Sequence, residues 1–230
     1  MYGLGRPKPL MQVDGGRSLL AHCLEHLQRR PSPPSAVTLL CDEGQQEAYA
    51  AELAALACEL PVGVLACGPQ ASTMEKFEIA LRAQADGQAV LRFGYPDIFY
   101  FGQDVEPASS DLAQGLVHIS AAALSSRFPR LVIDVYTGRI KSISNHSAAV
   151  PANPMHVFGG DLWGQVDALR ALCAQFRDQG QQSGASLEHD FFFWLTNHQK
   201  LRCVMLHGER LWVDSLRDVH RLLQSAGGSR

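Results

Sequence analysis

The chain has 230 residues, 46% of them apolar and 19% charged, with a formal net charge of −3. That balance belongs to a folded protein with a substantial core and excludes a disordered one. It also gives no bulk electrostatic case for nucleic acid or an anionic membrane, and leaves room for a local basic site facing a phosphorylated small molecule.

The six cysteines form no CxxC pair and sit mostly in apolar runs, so they read as buried free thiols in a reducing compartment. No apolar run approaches the roughly 20 residues that a spanning helix needs, and no signal peptide is read. The expectation is a cytoplasmic protein with no membrane and no nucleic-acid partner.

The first segment is Gly3-Leu4-Gly5-Arg6-Pro7-Lys8-Pro9-Leu10, followed by Val13-Asp14-Gly15. Its glycines permit close backbone approach to phosphate, and its arginine and lysine are held by prolines. Residues 18–29 carry Leu19, Leu20, Cys23, Leu24 and Leu27 on one helical face, with Asp14 or Ser18 as the cap. Pro31-Ser32-Pro33-Pro34 ends that helix. Residues 36–41 form a wholly apolar run with the look of a buried parallel strand. A helix over 45–60, a strand over 62–66, a helix over 72–84 and a strand over 89–93 follow. This alternation predicts a doubly wound, largely parallel sheet.

Residues 116–120, 131–135 and 139–143 read as strands, the last two joined by the tight turn Tyr136-Thr137-Gly138. A polar loop covers 145–154. Gly160 or Asp161 is expected to open a helix running to about residue 177, and residues 179–184 are a flexible break. Ser186-Leu187-Glu188-His189 opens another helix, packed through Phe191, Phe192, Trp194 and Leu195. Those aromatics suit a core, and could equally serve a subunit contact in a homo-oligomer. Residues 201–206 and 210–213 are expected to pair as a hairpin around His207-Gly208-Glu209. A helix over 214–223 and a disordered tail over 226–230 complete a single domain spanning residues 1–225.

The order of these signals resembles the sugar-1-phosphate nucleotidyltransferases. Arg6-Pro7-Lys8-Pro9-Leu10, Val13-Asp14-Gly15 and Ser18-Leu19-Leu20 with His22 are similar to that family's RPKPL segment. Asp97, in Gly94-Tyr95-Pro96-Asp97, resembles its strand-terminal metal aspartate. Tyr136-Thr137-Gly138-Arg139-Ile140 looks like its glycine-arginine hairpin, and Ser186-Leu187-Glu188-His189-Asp190 like its S-L-E-x-D helix start. Leu211-Trp212-Val213-Asp214-Ser215 with Asp218-Val219 is similar to its closing motif. The resemblance covers nearly the whole chain.

It implies a three-layer α/β/α sandwich with a mixed, mostly parallel sheet, of the nucleotide-diphospho-sugar transferase kind. It also implies an enzyme that joins a nucleoside triphosphate to a sugar 1-phosphate and releases pyrophosphate, in surface polysaccharide or glycan precursor synthesis. Lys8 and Arg6 would neutralise phosphate. Gly3, Gly5, Gln70 and Ser72 would contact the nucleotide, and Asp97 and Asp214 would hold Mg2+. Each has a structural alternative: solvated surface charge for Lys8 and Arg6, a turn for Asp97, a helix cap for Asp214 and for residues 70–73. His22 and His26, one helical turn apart, read as a solvated face rather than a metal site.

The chain also departs from the family pattern. Met1 stands almost on the PKPL segment, where the family has a strand and a glycine-rich loop ahead of it. Ser144-Asn145-His146 replaces its E-K-P, and Ser215-Leu216-Arg217 its G-T-P. The expectation is a divergent member lacking the first strand and loop, with a catalytically inactive binding or regulatory protein as the alternative. A glycosyltransferase fits less well, because Asp97-Ile98-Phe99 supplies no D-x-D pair.

Overall fold

The computed structural model describes residues 7–102, 105–123, 130–134, 136–144, 156–180 and 184–227. In chain order, a 3₁₀ turn at Lys8–Leu10 precedes β1 (Gln12–Asp14), β2 (Arg17–Ser18), α1 (Leu19–Gln28), β3 (Val37–Asp42), α2 (Gln46–Ala55), β4 (Val62–Cys67) and α3 (Thr73–Ala83). Then come β5 (Val90–Gly94), β6 (Ile98–Gly102), α4 (Ser109–Ala113), β7 (Val117–Ala123), β8 (Arg130–Asp134) and β9 (Arg139–Ser144). The last elements are β10 (His156–Gln165), α5 (Val166–Asp178), a π-helical turn at Leu187–Phe191 running into α6 (Phe192–Asn197), β11 (Leu201–Leu206), β12 (Gly208–Trp212) and α7 (Leu216–Gly227). The mixed α/β class expected from the sequence is the one observed.

The chain divides into two compact units, one of residues 1–70, 95–104 and 208–230, the other of residues 71–94 and 105–207. In the first unit β3 and β4 pair in parallel, and β6 pairs antiparallel with β12. Helix α1 starts where Ser18 accepts a hydrogen bond from the Ala21 amide. The helix serves two cores: Leu20 and Leu24 pack with Leu10, Cys41 and Tyr49, while Leu19 packs with Phe99, Leu211, Val213, Val219 and Leu222. His26 sets its ring edge-on to Phe99 and Phe101, each 5.9 Å away.

The second unit holds a six-stranded sheet in the order β5-β10-β7-β11-β9-β8, and β8 returns to pair with the first residues of β10. Among the described pairings only β3–β4 and β7–β11 are parallel, so the parallel share is smaller than the sequence alternation implied. Helices α3 and α5 cover one face. The spacing of Val166, Leu169, Leu172, Cys173 and Phe176 puts all five on one side of α5, and all five are buried. A two-point Arg177–Glu78 pair, at 2.8 and 3.0 Å, ties α5 to α3. Phe191 lies at the centre, edge-on to Phe176 at 5.2 Å and stacked on Trp194 at 6.0 Å. Phe191, Phe192 and Trp194 are core residues, while Phe193 is exposed.

Two element assignments differ from the sequence expectation, and His22, read there as part of a solvated face, is buried. Residues 160–165 are strand rather than helix. They pair with β5 and β7 across a register shift between Phe158 and Leu162, where Gly160 adopts φ +96°. Asp161 caps nothing there: its carboxylate accepts from Arg92 at 3.1 Å and from Ser120 at 3.3 Å. Residues 201–213 are not a hairpin either. β11 lies parallel to β7, and β12 pairs with β6, a strand the sequence reading missed. Residues 145–154 and 228–230 fall outside the described residues, and with them Asn145, His146 and most of the tail.

Candidate functional site

In the first unit Pro7 and Pro9 frame a 3₁₀ turn closed by hydrogen bonds from the Leu10 amide to the Pro7 carbonyl (2.9 Å) and from the Met11 amide to the Lys8 carbonyl (3.1 Å). Leu10 is fully buried and anchors the turn. The backbone at Lys8 is thus fixed, while its long side chain projects from a stiff base.

The β6–β12 ladder brings up two carboxylates. Ile98 is paired with Trp212, and just beyond that pair the Val213 amide donates to the Asp97 carbonyl at 2.9 Å. Asp97, immediately ahead of β6, therefore stands beside Asp214, two residues after β12. Asp214 does not cap α7. Ser215 does: it accepts from the Asp218 amide at 3.3 Å, and the Asp218 carboxylate accepts from the Ser215 amide at 2.9 Å. With capping done by its neighbour, the Asp214 carboxylate is turned to Lys8.

The Lys8 ammonium donates to Asp97 Oδ2 at 2.5 Å and to Asp214 Oδ1 at 2.8 Å. The three side chains are between 22% and 31% exposed, so the cluster is half-buried yet reachable from solvent. Burial alone would lower the lysine pKa. The hydrogen bonds and charges of Asp214 and Asp97 outweigh burial and hold it above the ordinary lysine value. Lys8 is therefore fully charged at neutral pH.

No protein-family model and no curated protein sequence matches the chain. Solved structures do match it. The inositol-1-phosphate CTP transferase from T. maritima superposes with a TM-score of 0.72 at 12% identity, over 99% of this chain and 90% of that one. HddC from Yersinia pseudotuberculosis gives 0.70 at 12% identity, over 96% and 90%. UDP-glucose pyrophosphorylase, solved with UDP-glucose, gives 0.68 at 8% identity, over 97% and 91%. The fold is that of the nucleotide-diphospho-sugar transferases.

On this transferase fold the sequence candidates separate. Lys8, Asp97 and Asp214 come together. Gly3, Gly5 and Arg6 lie outside the described residues. Gln70 is exposed and holds a left-handed φ of 60°, uncommon for a residue with a side chain. Ser72 is engaged in a capping box with Glu75: it accepts from the Glu75 amide at 3.2 Å, and its own amide donates to Glu75 Oε2 at 2.7 Å. Its hydroxyl thus has a structural task at the start of α3. Ser186 is similarly occupied, accepting from the His189 amide, while Asp190 accepts from the Ser186 amide.

The cluster suits a divalent cation in its donor chemistry. Among the described residues no group of three or more acidic, histidine or cysteine side chains gathers. Magnesium, however, commonly takes only one or two carboxylates and completes its shell with phosphate oxygens and water. Two carboxylate oxygens already converging on one cationic atom meet that need.

Sequence reasoning missed two charged groups. The Arg92–Asp161–Ser120 network in the second unit was hidden because Asp161 read as a helix start. Arg210, buried over the Tyr100 ring at 5.6 Å, stands on a strand whose partner lies far off in sequence. No helix among the described residues is long and apolar enough to cross a membrane.

Proposed function

We propose that the chain is a sugar-1-phosphate nucleotidyltransferase, converting a nucleoside triphosphate and a sugar 1-phosphate into a nucleotide sugar and pyrophosphate, in glycan precursor synthesis. The observation that carries this reading is the Lys8 ammonium held between Asp97 and Asp214. Support comes from the transferase fold, and from the fact that HddC has also been solved with GMP-PN, at a TM-score of 0.68 and 12% identity.

The reaction asks for positioning and for neutralisation of charge. An oxygen of the sugar phosphate attacks the α-phosphorus, the bond to the bridging oxygen breaks, and pyrophosphate leaves. Lys8 is a point charge on a fixed turn and would meet phosphate oxygens as negative charge moves onto the leaving group. Asp97 and Asp214 would hold Mg2+. When bound, that ion would neutralise the triphosphate and polarise the phosphorus. Arg6 would add a second cation, and Gly3, Gly5 and Gln70 would line the nucleotide.

The test is pyrophosphate release from each nucleoside triphosphate with a panel of sugar 1-phosphates and magnesium. The expected result is release with at least one pair, reduced a hundredfold or more by Asp97→Asn. Silence across the panel from folded protein that still binds a triphosphate would favour the non-catalytic alternative.

A further inference from the structure

Lys8 stands on the very oxygens that a divalent cation would need. Its ammonium is within 2.8 Å of one oxygen of Asp97 and one of Asp214. A divalent cation on those same two oxygens would occupy the ammonium's own position, and one on the outer carboxylate oxygens would stand close enough to repel it. Lysine and metal therefore compete for the pair.

We infer that Lys8 is a tethered competitor for the metal position: it keeps Asp97 and Asp214 paired at rest and vacates them when a polyphosphate offers its ammonium another anion. This rests on the function proposed above and adds a binding order to it. The turn that carries Lys8 is pinned by Leu10 and two prolines, so the exchange requires only rotation of the side chain. The lysine side chain is 22% exposed, which gives the ammonium a path to a bound anion. A divalent cation alone must evict the ammonium into water, and so binds weakly. A polyphosphate accepts the ammonium and stabilises the metal-bound state. The two ligands then favour each other, by the same factor in both directions.

The test uses Mn2+ as the probe, followed by electron paramagnetic resonance, with inorganic tripolyphosphate as the anion. The full chain is compared with Lys8→Met and Lys8→Gln, each checked for folding by circular dichroism. In the unsubstituted protein, tripolyphosphate should tighten Mn2+ binding at least tenfold. Both variants should bind Mn2+ alone at least tenfold more tightly than the parent, and lose most of that enhancement. Equal or weaker Mn2+ binding by the folded variants overturns the inference. The unsubstituted protein gives an independent reading: the 15N signal of the Lys8 ammonium should shift when Mg2+ and tripolyphosphate are added together, as its partners change from carboxylate to phosphate oxygens. An unchanged Lys8 signal with both bound also overturns it. Neither measurement involves a nucleotide or a sugar, so failed turnover and failed exchange are told apart.

Discussion

Lys8 pairs with both Asp97 and Asp214 in the first unit, and its loss should be felt there. Lys8→Met leaves two half-buried carboxylates facing each other without a cation. The expected cost at neutral pH is about 1–3 kcal/mol, below the range for a fully buried pair because solvent still reaches all three groups. The cost should fall at strongly alkaline pH, where urea midpoints of parent and variant should converge. The folded lysine pKa lies above its ordinary value, so the stabilisation holds below that value and is lost only as pH rises through the folded pKa. Ser72 offers a contrast at the same scale. Its hydroxyl closes a capping box, so Ser72→Ala should cost about 1 kcal/mol of stability by denaturant titration. If instead Ser72→Ala left stability unchanged and weakened nucleotide binding, the sequence reading of Ser72 as a nucleotide contact would gain over the cap.

At the scale of elements, the bulge in β10 is tightly packed. A side chain at Gly159 would place its Cβ 2.5 Å from Ser120 Oγ and 3.0 Å from a Leu206 methyl. Gly159→Ala should therefore destabilise the protein by about 1–3 kcal/mol in a thermal or urea melt. This stretch also shows where the sequence stopped being legible. Helices α1, α3 and α5 announce themselves by apolar spacing, and α1 and α3 also by serine caps, signals that lie within a dozen residues. Strands β3, β4, β5 and β11 announce themselves as short apolar runs. Gly159-Gly160-Asp161, however, looks like a helix start, and only the neighbours in β5 and β7 make it strand. Likewise β6 follows Pro96-Asp97 too closely to be read alone, and its partner β12 is reached only after the whole second unit has been built. Pairings of that range leave no local mark.

The site shows the same division for the molecule as a whole. Lys8, Asp97 and Asp214 could each be named from the sequence, and each also had an ordinary structural reading. What no local pattern could supply is that Ser215 rather than Asp214 caps α7, or that the lysine lies between the two aspartates. The first depends on the geometry of one helix start, the second on a strand pair assembled from distant segments. The same fold is seen over nearly the full chain in solved structures at 8 to 12% identity. Under the function proposed above, this cluster receives a magnesium-bound triphosphate. Calorimetric titration of each nucleoside triphosphate into the full chain, with and without magnesium, tests it most directly. The account predicts magnesium-dependent binding of at least one triphosphate, weakened tenfold or more by Lys8→Met and by Asp97→Asn. Binding of equal strength in the parent and both folded variants, or no binding in the parent, would contradict it.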